Sequence, residues 1–194
     1  LSSARAVIVS HLYASPASRG KLHALVGQGA AVAVAVPARW IPPGGAEPVQ
    51  TPFAEDNGVR IVPIPTSGRE ANGAPAAWRT SALRRLLTDF RPDIVHSQHP
   101  FLLGMTAVRI ARRRGLPLVF THHTLYERYT HYVPGDSPAL KRFTIELATR
   151  YANLADQVFA PSESIRDLLL QRGVVTPIVV VPTGVRLEHF AHGD

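Results

Sequence analysis

The chain has 194 residues, of which 45% are hydrophobic and 18% are charged, so it has the length and composition of a single globular domain. Its apolar runs are too short to span a membrane, and its first residues lack the pattern of a signal peptide. Cysteine is absent, which excludes disulfides, thiolate metal sites and cysteine nucleophiles. A cytoplasmic protein is the simplest interpretation of these features.

Basic residues outnumber acidic ones by 21 to 14, which gives a formal net charge of +7. This balance favours a partner that carries phosphate: a nucleotide, a nucleic acid or an anionic membrane surface. The basic residues are scattered, and Arg112–Arg114 is the one run of three. Because no nucleic-acid-binding motif accompanies them, we expect no nucleic acid as a partner. The arginine run fits either a solvated helix face or a peripheral contact with anionic lipid headgroups.

Short apolar runs alternate along the chain with amphipathic segments of helical length. The predicted strands are Arg5–Ser10, Ala31–Pro37, Val59–Ile64, Asp93–His96, Leu116–Thr121, Gln157–Ala160 and Ile178–Val181. The predicted helices are Arg19–Gln28, Ala76–Phe90, Leu102–Arg114, Pro138–Asn153 and Glu163–Arg172. Strands that are apolar throughout are typical of a parallel sheet covered on both faces. The pattern therefore predicts a Rossmann-like, doubly wound α/β domain with about seven strands, all of them parallel.

Three stretches interrupt this alternation. Arg39–Asn57 and Thr66–Pro75 are rich in Pro, Gly, Ala and Glu, and we expect long surface loops there. His122–Asp136 follows the fifth predicted strand and is rich in His and Tyr.

Five of the nine histidines follow the carboxyl ends of predicted strands: His11, His96, His99, His122 and His123. Ligands of open α/β sheets bind at this edge, and imidazole can bond to sugar hydroxyls or phosphates. Any one of these histidines could be purely structural, whereas the group indicates a binding site.

A zinc site is an alternative for the histidines of the fifth loop, His122, His123 and His131. The sequence has neither an H-E-x-x-H motif nor a cysteine pair, so we expect no metal.

The turn after the first strand, residues 12–20, lacks both the G-x-G-x-x-G and the Walker pattern. A dinucleotide-dependent dehydrogenase and a P-loop NTPase are therefore not supported. Ser15 and Ser18 can cap a helix there, and Arg19 can contact a phosphate; an ordinary capped turn is the alternative.

Several segments, in this order, resemble the N-terminal half of the family-4 retaining glycosyltransferases. They are Arg91–His96 (RPDIVH), Gly115–Glu127 (GLPLVFTHHTLYE), Ala155–Ser162 (ADQVFAPS) and Ile178–Val185 with Phe190 after it. The stretch Tyr126–Tyr132 resembles, more loosely, members of the family that glycosylate diacylglycerol or other membrane lipids.

The resemblance implies one half of a GT-B fold, in which two Rossmann-like domains enclose the active site. It implies a nucleotide-sugar donor, an acceptor hydroxyl, retention of the anomeric configuration, and no metal or other cofactor. His123 matches the histidine before threonine in the family pattern, which makes it the expected catalytic residue beside the donor sugar. The residues expected to bind donor or acceptor are Ser18, Arg19, Gly20, His96, His99, His122, Tyr126 and Glu127.

On this interpretation residues 1–194 form a single, N-terminal, acceptor-side domain, and the nucleotide-sugar domain lies outside the chain. The family's glycine pair in the first turn is replaced by Ser18-Arg19-Gly20, and its paired-glutamate motif is absent from these residues. The expected partners are the nucleotide-sugar, a lipid or glycan acceptor and the C-terminal domain; the expected place is the cytoplasm, at the inner face of the membrane for a lipid acceptor. We expect the isolated domain to be inactive. A non-catalytic nucleotide- or glycan-binding module with the same fold is the alternative.

Overall fold

The computed structural model describes residues 3–41, 47, 49–67, 77–78, 80–132 and 137–184. Its helices are α1 (Gly20–Gly27), α2 (Thr80–Phe90), α3 (Leu102–Arg114), α4 (Pro138–Ala152) and α5 (Glu163–Gln171). Its strands are β1 (Arg5–Val9), β2 (Ala31–Pro37), β3 (Arg39–Trp40), β4 (Val49–Gln50), β5 (Ala54–Asp56), β6 (Val59–Ile64), β7 (Thr66–Ser67), β8 (Ala77–Trp78), β9 (Ile94–Ser97), β10 (Leu118–Thr121), β11 (Gln157–Ala160) and β12 (Ile178–Val180). Short 3₁₀ helices cover Leu12–Ala14, Pro16–Ser18 and Tyr126–Tyr132.

Within the described residues, eight strands form one sheet in the order β12-β11-β10-β9-β1-β2-β6-β5. The seven strands predicted from the sequence all occur, and all of them run parallel. This confirms the prediction of a Rossmann-like, doubly wound α/β domain.

The expectation of an all-parallel sheet is wrong at one edge, where β5 pairs antiparallel with β6. The two strands are joined by Asn57 and Gly58, both with positive φ, as a two-residue hairpin of the Asn-Gly type requires. A Cβ on Gly58 would lie 2.8 Å from Val26 Cγ1, so a side chain there would also collide with α1. This local turn signal lies inside the stretch that composition alone predicts to be a loop.

Short antiparallel pairs also occur within the first predicted loop and at the two ends of the second. β3 pairs with β4 inside Arg39–Asn57, and β7 pairs with β8. Because β8 occupies Ala77–Trp78, α2 begins at Thr80 and not at Ala76 as predicted. Residues 42–46, 48 and 68–75 of these loops lie outside the described residues, as does residue 76, the first of the predicted second helix.

The helices cover the two faces of the sheet unequally. The larger core includes side chains of α2, α3, α4 and α5, such as Leu87, Ala107, Tyr151 and Leu169. The smaller core, on the opposite face, includes Leu22 of α1. Successive side chains of a strand point to opposite faces of the sheet, so side chains two residues apart lie on the same face.

Two of the three helix ends whose capping residues the sequence predicts are confirmed. Ser162 caps α5 by accepting a hydrogen bond from Ile165 N at 3.4 Å, and Gly115 ends α3 with a φ of 63°. The expectation that Ser15 or Ser18 caps α1 is wrong: α1 begins after Arg19, which makes no side-chain capping bond.

Each parallel strand ends at the same edge of the sheet, and the helix that follows starts there. We call this carboxyl edge the rim. α3 runs from the rim to the opposite edge, where Gly115 leads into the start of β10. α4 does the same, because Asp156, just beyond its end, bonds to Leu118 at the start of β10. The N-terminal turns of these helices therefore lie at the rim, and their C-terminal turns lie at the far edge.

Candidate functional site

The centre of the rim is formed by three neighbouring strands, β1, β9 and β10. Their register aligns Val9, Ser97 and Phe120 across the sheet. The residues that follow these three, including His11, His99, His122 and His123, are therefore neighbours in space, as the sequence predicts.

One group of side chains lies on the face that α1 covers. His96 and Thr121 both point to this face, and their Nε2 and Oγ1 atoms are 2.6 Å apart. His123 is two residues beyond Thr121 and half-buried on the same side. Lys21, in the first turn of α1, is close enough to both histidines to act on their pKa values. We call Lys21, His96 and His123 the lysine–histidine group.

Both histidines of this group are neutral at physiological pH. Burial lowers the pKa of His96 to about 4, with further contributions from the charges of His123 and Lys21. Burial also lowers the pKa of His123 to about 4, with contributions from Lys21, His11 and His122. A neutral imidazole has one donor and one acceptor nitrogen, so each ring can bond to an uncharged hydroxyl.

Lys21 is the cation of this group. Among the described residues it forms no ion pair with a carboxylate, and partial burial lowers its pKa. Its Nζ lies 6.0 Å from the centre of the Tyr13 ring. The Tyr13 hydroxyl in turn accepts a hydrogen bond of 3.0 Å from Gln98 Nε2. A cation without a counter-ion, next to neutral imidazoles, is suited to binding an anion.

An aromatic cluster lies on the other face of the same strand ends. It consists of His99, Phe101, Phe120, His122 and Tyr126, whose rings meet edge to face at centroid distances of 5.0 to 6.0 Å. Burial lowers the pKa of His99 to about 3 and that of His122 to about 4. His11 joins this cluster to the lysine–histidine group, because its ring lies 5.2 Å from that of His99.

Glu127, predicted to bind substrate, is held by an ion pair. Its Oε1 accepts a hydrogen bond of 2.6 Å from Arg172, and both side chains are more than four-fifths buried. The pair ties the 3₁₀ helix after β10 to the end of α5. In this structure Glu127 therefore positions the loop that carries Tyr126, and a contact of Glu127 with substrate stays a prediction.

Arg19 is also engaged within the protein. Its guanidinium donates to the carbonyl oxygens of Tyr13 and Ala14 at 2.9 and 3.0 Å, and it pairs with Asp56 at 2.9 Å. Since its side chain is buried, it fastens the turn after β1 to the antiparallel edge strand. The predicted contact of Arg19 with a substrate phosphate is untested, and the structure points to Lys21 as the cation that faces the histidines.

The remaining predicted residues lie where the chain leaves β1. Ser18 is exposed at the end of a 3₁₀ helix, and Gly20 is the first residue of α1. Both are within a turn of Lys21, which the sequence reasoning missed. The one signal for Lys21 was its place directly after Gly20, in a chain with only two lysines.

Four buried polar atoms at the rim have no hydrogen-bond partner among the described residues. They are His122 Nδ1, His123 Nε2, Gln98 Oε1 and Tyr126 Oη. Buried polar groups in native proteins are bonded to protein, water or ligand in the great majority of cases. At the rim these four atoms are therefore open to hydrogen bonds with water or with a polar ligand.

The described residues contain no group of three or more His, Asp or Glu side chains arranged to hold a metal ion. The zinc alternative falls partly outside them, because the side chain of His131 is not described. No helix within the described ranges is both long and apolar enough to cross a bilayer.

Comparison with known families identifies the class of protein. The model of Glycosyltransferase Family 4 matches residues 22–189, which include His96, His123 and the aromatic cluster and begin one residue after Lys21. The chain therefore belongs to glycosyltransferase family 4.

Two curated relatives show how the similarity is distributed. The alpha-monoglucosyldiacylglycerol synthase of Streptococcus pneumoniae is 36% identical over 101 residues, which is 52% of this chain and 23% of that protein. The GDP-mannose-dependent alpha-mannosyltransferase of Mycobacterium tuberculosis is 30% identical over 139 residues, or 64% of this chain and 34% of that protein. The matched part thus spans about a quarter to a third of each relative.

Solved structures show the same fold. Sucrose-phosphate synthase from Thermosynechococcus elongatus matches 95% of this chain and 49% of its own with a TM-score of 0.67 at 15% identity. An Anabaena protein crystallised with UDP-glucose matches 95% of this chain and 45% of its own with a TM-score of 0.53 at 12% identity. Together with the family assignment, these neighbours identify the sheet as the Rossmann-like half of a GT-B enzyme.

Proposed function

We propose that this chain is the acceptor-side half of a retaining glycosyltransferase that moves a sugar from a nucleotide-sugar to an acceptor hydroxyl, with a membrane glycerolipid as the acceptor. The observation that carries the proposal is the lysine–histidine group, in which a cation that pairs with no carboxylate of the described residues lies beside two neutral imidazoles. The lipid acceptor is supported by the name of the Streptococcus pneumoniae relative, which gives a glucosylated diacylglycerol as the product of that enzyme.

The proposed roles follow from charge. Transfer breaks the bond between the anomeric carbon and a phosphate oxygen, and the acceptor oxygen forms the new bond while its proton passes to the departing diphosphate. The electron pair leaves with the phosphate, so a fixed cation at that position stabilises the transition state. We assign this role to Lys21, which lies in the first turn of α1, where the helix dipole also favours an anion.

In this proposal His123 binds the donor sugar. Its neutral ring has a buried Nε2 that no described residue bonds to, which suits a hydrogen bond to a sugar hydroxyl near the reacting carbon. Such a bond orients the donor without adding charge. We propose His96 and Thr121 as its support, because their bond fixes the neighbouring surface.

The other half of the cleft is proposed to come from a C-terminal domain that binds the nucleotide. The structural neighbours are about twice as long as the part that this chain matches. We further propose that the reaction needs no metal and takes place in the cytoplasm, at the inner face of the membrane.

The test is transfer by the protein in which this chain is followed by such a domain. Radiolabelled UDP-glucose and GDP-mannose are offered with diacylglycerol in detergent or with soluble glycans, and NMR of the product gives the anomeric configuration. We expect an α-linked glycolipid, made equally well in EDTA. Absence of transfer with every donor, together with nucleotide binding, would instead favour the non-catalytic binding module.

A separate test needs only this chain. UDP or GDP is titrated while the ring ¹⁵N signals of His96 and His123 are followed, and we expect both to shift. Lys21→Met should weaken binding at least about fivefold, Lys21→Arg should restore it, and Lys141→Met is the matched control.

A further inference from the structure

Gln98 is buried at the rim, yet only one end of its side-chain amide is bonded within the described residues. The residue is 4% exposed. Its Nε2 donates a hydrogen bond of 3.0 Å to the hydroxyl of Tyr13, whereas no described residue bonds to its Oε1. An amide oxygen is a strong acceptor, and leaving it buried and unbonded costs free energy. Gln98 therefore keeps an acceptor that the described part of the fold does not use.

The register of the sheet places this amide beside the lysine–histidine group. Gln98 follows β9 directly, and its backbone N–H bonds to the carbonyl oxygen of Val9 at 3.1 Å, so the strand geometry continues through it. Its side chain lies two residues beyond that of His96 and therefore on the same face of the sheet. Tyr13, the partner of its amide, belongs to the smaller core on that face. The open oxygen thus lies on the side of the sheet that carries the lysine–histidine group.

Tyr13 is fixed at three points. The residue is 1% exposed, and Lys21 Nζ lies 6.0 Å from the centre of its ring. Its carbonyl oxygen accepts a hydrogen bond of 2.9 Å from Arg19 Nε, and its hydroxyl accepts the bond from Gln98. Because backbone, ring and hydroxyl are all held, Tyr13 is a rigid support for the amide.

Arg19 connects this support to the antiparallel edge strand. Its Nη1 donates to Asp56 Oδ2 at 2.9 Å, and its Nη2 donates to the carbonyl oxygen of Ala14 at 3.0 Å. Asp56 is the last residue of β5. A continuous chain of contacts therefore runs from β5 through Arg19 and Tyr13 to the amide of Gln98.

The bond to Tyr13 decides how the amide of Gln98 is oriented. Glutamine has a long, flexible side chain, so its amide takes one orientation only where a partner holds it. The oxygen and nitrogen lie on opposite sides of the amide carbon, so a bond that holds Nε2 also fixes Oε1. A buried acceptor that is fixed in this way favours a ligand with a hydroxyl over an analogue that lacks it, because the analogue leaves the acceptor unpaired.

We propose that Tyr13 is a positioning residue, whose hydroxyl holds the amide of Gln98 so that Oε1 accepts a hydrogen bond from a substrate hydroxyl at the rim. The proposal rests on the proposed function for the identity of that substrate, because both the donor sugar and the acceptor carry hydroxyls. The positioning itself is measured without any transfer.

The positioning is tested on this chain alone, through the side-chain amide signals of Gln98 in ¹⁵N NMR spectra. Tyr13→Phe removes only the hydroxyl oxygen. We expect the Gln98 signals to shift and their protons to exchange faster with solvent, because the hydrogen bond is lost. Tyr151→Phe is the matched control, since Tyr151 is also 1% exposed and its hydroxyl donates to Ser97 at 2.7 Å. Gln98 signals that are unchanged by Tyr13→Phe, or changed equally by Tyr151→Phe, would overturn the proposal.

The substrate contact is tested by kinetics of the enzyme with both halves. Gln98→Met should lower kcat/KM by about three- to tenfold, the effect of losing one hydrogen bond between neutral groups. Varying donor and acceptor in turn shows which of them carries the hydroxyl, because the affected kcat/KM belongs to that substrate. Gln157→Met is the matched control at the far edge, where the amide of Gln157 donates to the carbonyl oxygen of Pro177. Equal kcat/KM values for Gln98→Met and the unaltered enzyme would refute the contact.

A double-mutant cycle separates positioning from a general loss of packing. If Tyr13 acts through Gln98, Tyr13→Phe lowers kcat/KM in the unaltered enzyme but has no further effect in Gln98→Met. Losses that multiply in the double variant would rule out the positioning role.

Failure of the proposed function is distinguishable, since the unaltered enzyme then transfers no sugar. In that case the substrate contact is decided by calorimetric binding of UDP-glucose, GDP-mannose and a short-chain diacylglycerol. The proposal fails if Gln98→Met weakens the binding of none of them.

Discussion

Glu127 and Arg172 are 45 residues apart in the chain, yet their side chains form a 2.6 Å ion pair that is more than four-fifths buried. The pair fastens the loop after β10 to the end of α5, near His122, whose pKa is lowered by burial and, to a smaller extent, by the charge of Arg172. The rim loop after β10 and the end of α5 are therefore held together by this ion pair.

This connection predicts a cost of about 1–3 kcal/mol in unfolding free energy for either Glu127→Ala or Arg172→Ala, since each leaves a partly buried charge without its partner. The exchange Glu127→Arg, Arg172→Glu should recover part of that stability in urea unfolding. If Glu127 also binds substrate, the exchanged variant will regain stability but not substrate affinity. Single substitutions that leave stability unchanged would contradict the positioning role.

Gly104 predicts a second structural effect. A Cβ at this position would lie 1.9 Å from the carbonyl oxygen of His99 and 2.8 Å from the hydroxyl of Tyr151. Gly104→Ala should therefore displace the loop that carries His99 and lower stability by about 1–3 kcal/mol. Gly27→Ala is the control, because a Cβ there meets nothing within 4 Å and should be neutral or slightly stabilising. Thermal unfolding of the two variants measures the difference, and equal melting temperatures would refute the predicted clash.

The buried histidines predict a loss of stability in mild acid. Burial lowers the pKa values of His96, His122 and His123 to about 4 and that of His99 to about 3, all below the ordinary value of 6.5. The unfolded chain therefore binds more protons than the folded one between these values. The stability contribution is complete above about pH 6.5 and is lost as the pH falls towards 4.

We expect the melting temperature to drop by more than about 5 °C over this range. His99→Gln should flatten the profile, because it removes the histidine with the largest shift. A profile that is the same with and without His99 would show that this residue is not buried in its neutral form.

His123 carries the main functional prediction. In the enzyme with both halves, His123→Ala should lower turnover at least about a hundredfold, because the donor sugar loses an orienting hydrogen bond. The fold should stay intact, since the half-buried ring contributes little to the core. The variant His122→Ala serves as a comparison. Because His122 is only 1% exposed, we expect this substitution to lower stability and to affect turnover less directly. Transfer by His123→Ala near the unaltered rate would remove His123 from the reaction.

The chain by itself should melt cooperatively and transfer no sugar. Its sheet is covered on both faces and has its own core, which is what independent folding requires. Only one wall of the proposed cleft is present, so donor and acceptor cannot be held together away from water. Calorimetry and a transfer assay on the same sample check both parts. Donor-dependent transfer by this chain would show that one half is sufficient.

The sequence by itself determined the alternation of seven parallel strands and five helices and the gathering of histidines at one edge. These follow from local patterns: apolar runs of strand length, helical periodicity, and the rule that parallel strands share a carboxyl edge. The order of motifs was sufficient for the family, which the match over residues 22–189 confirms.

Only the tertiary structure decided which polar side chains are open at the rim and which hold the fold together. Arg19 and Glu127 are charged residues in functional-looking motifs, but each meets an oppositely charged partner from a distant segment, Asp56 and Arg172. Lys21 belongs to none of the sequence motifs, yet it is the cation of the lysine–histidine group. Such pairings depend on which elements pack together, and a pattern along the chain carries no information about a partner 37 or 45 residues away.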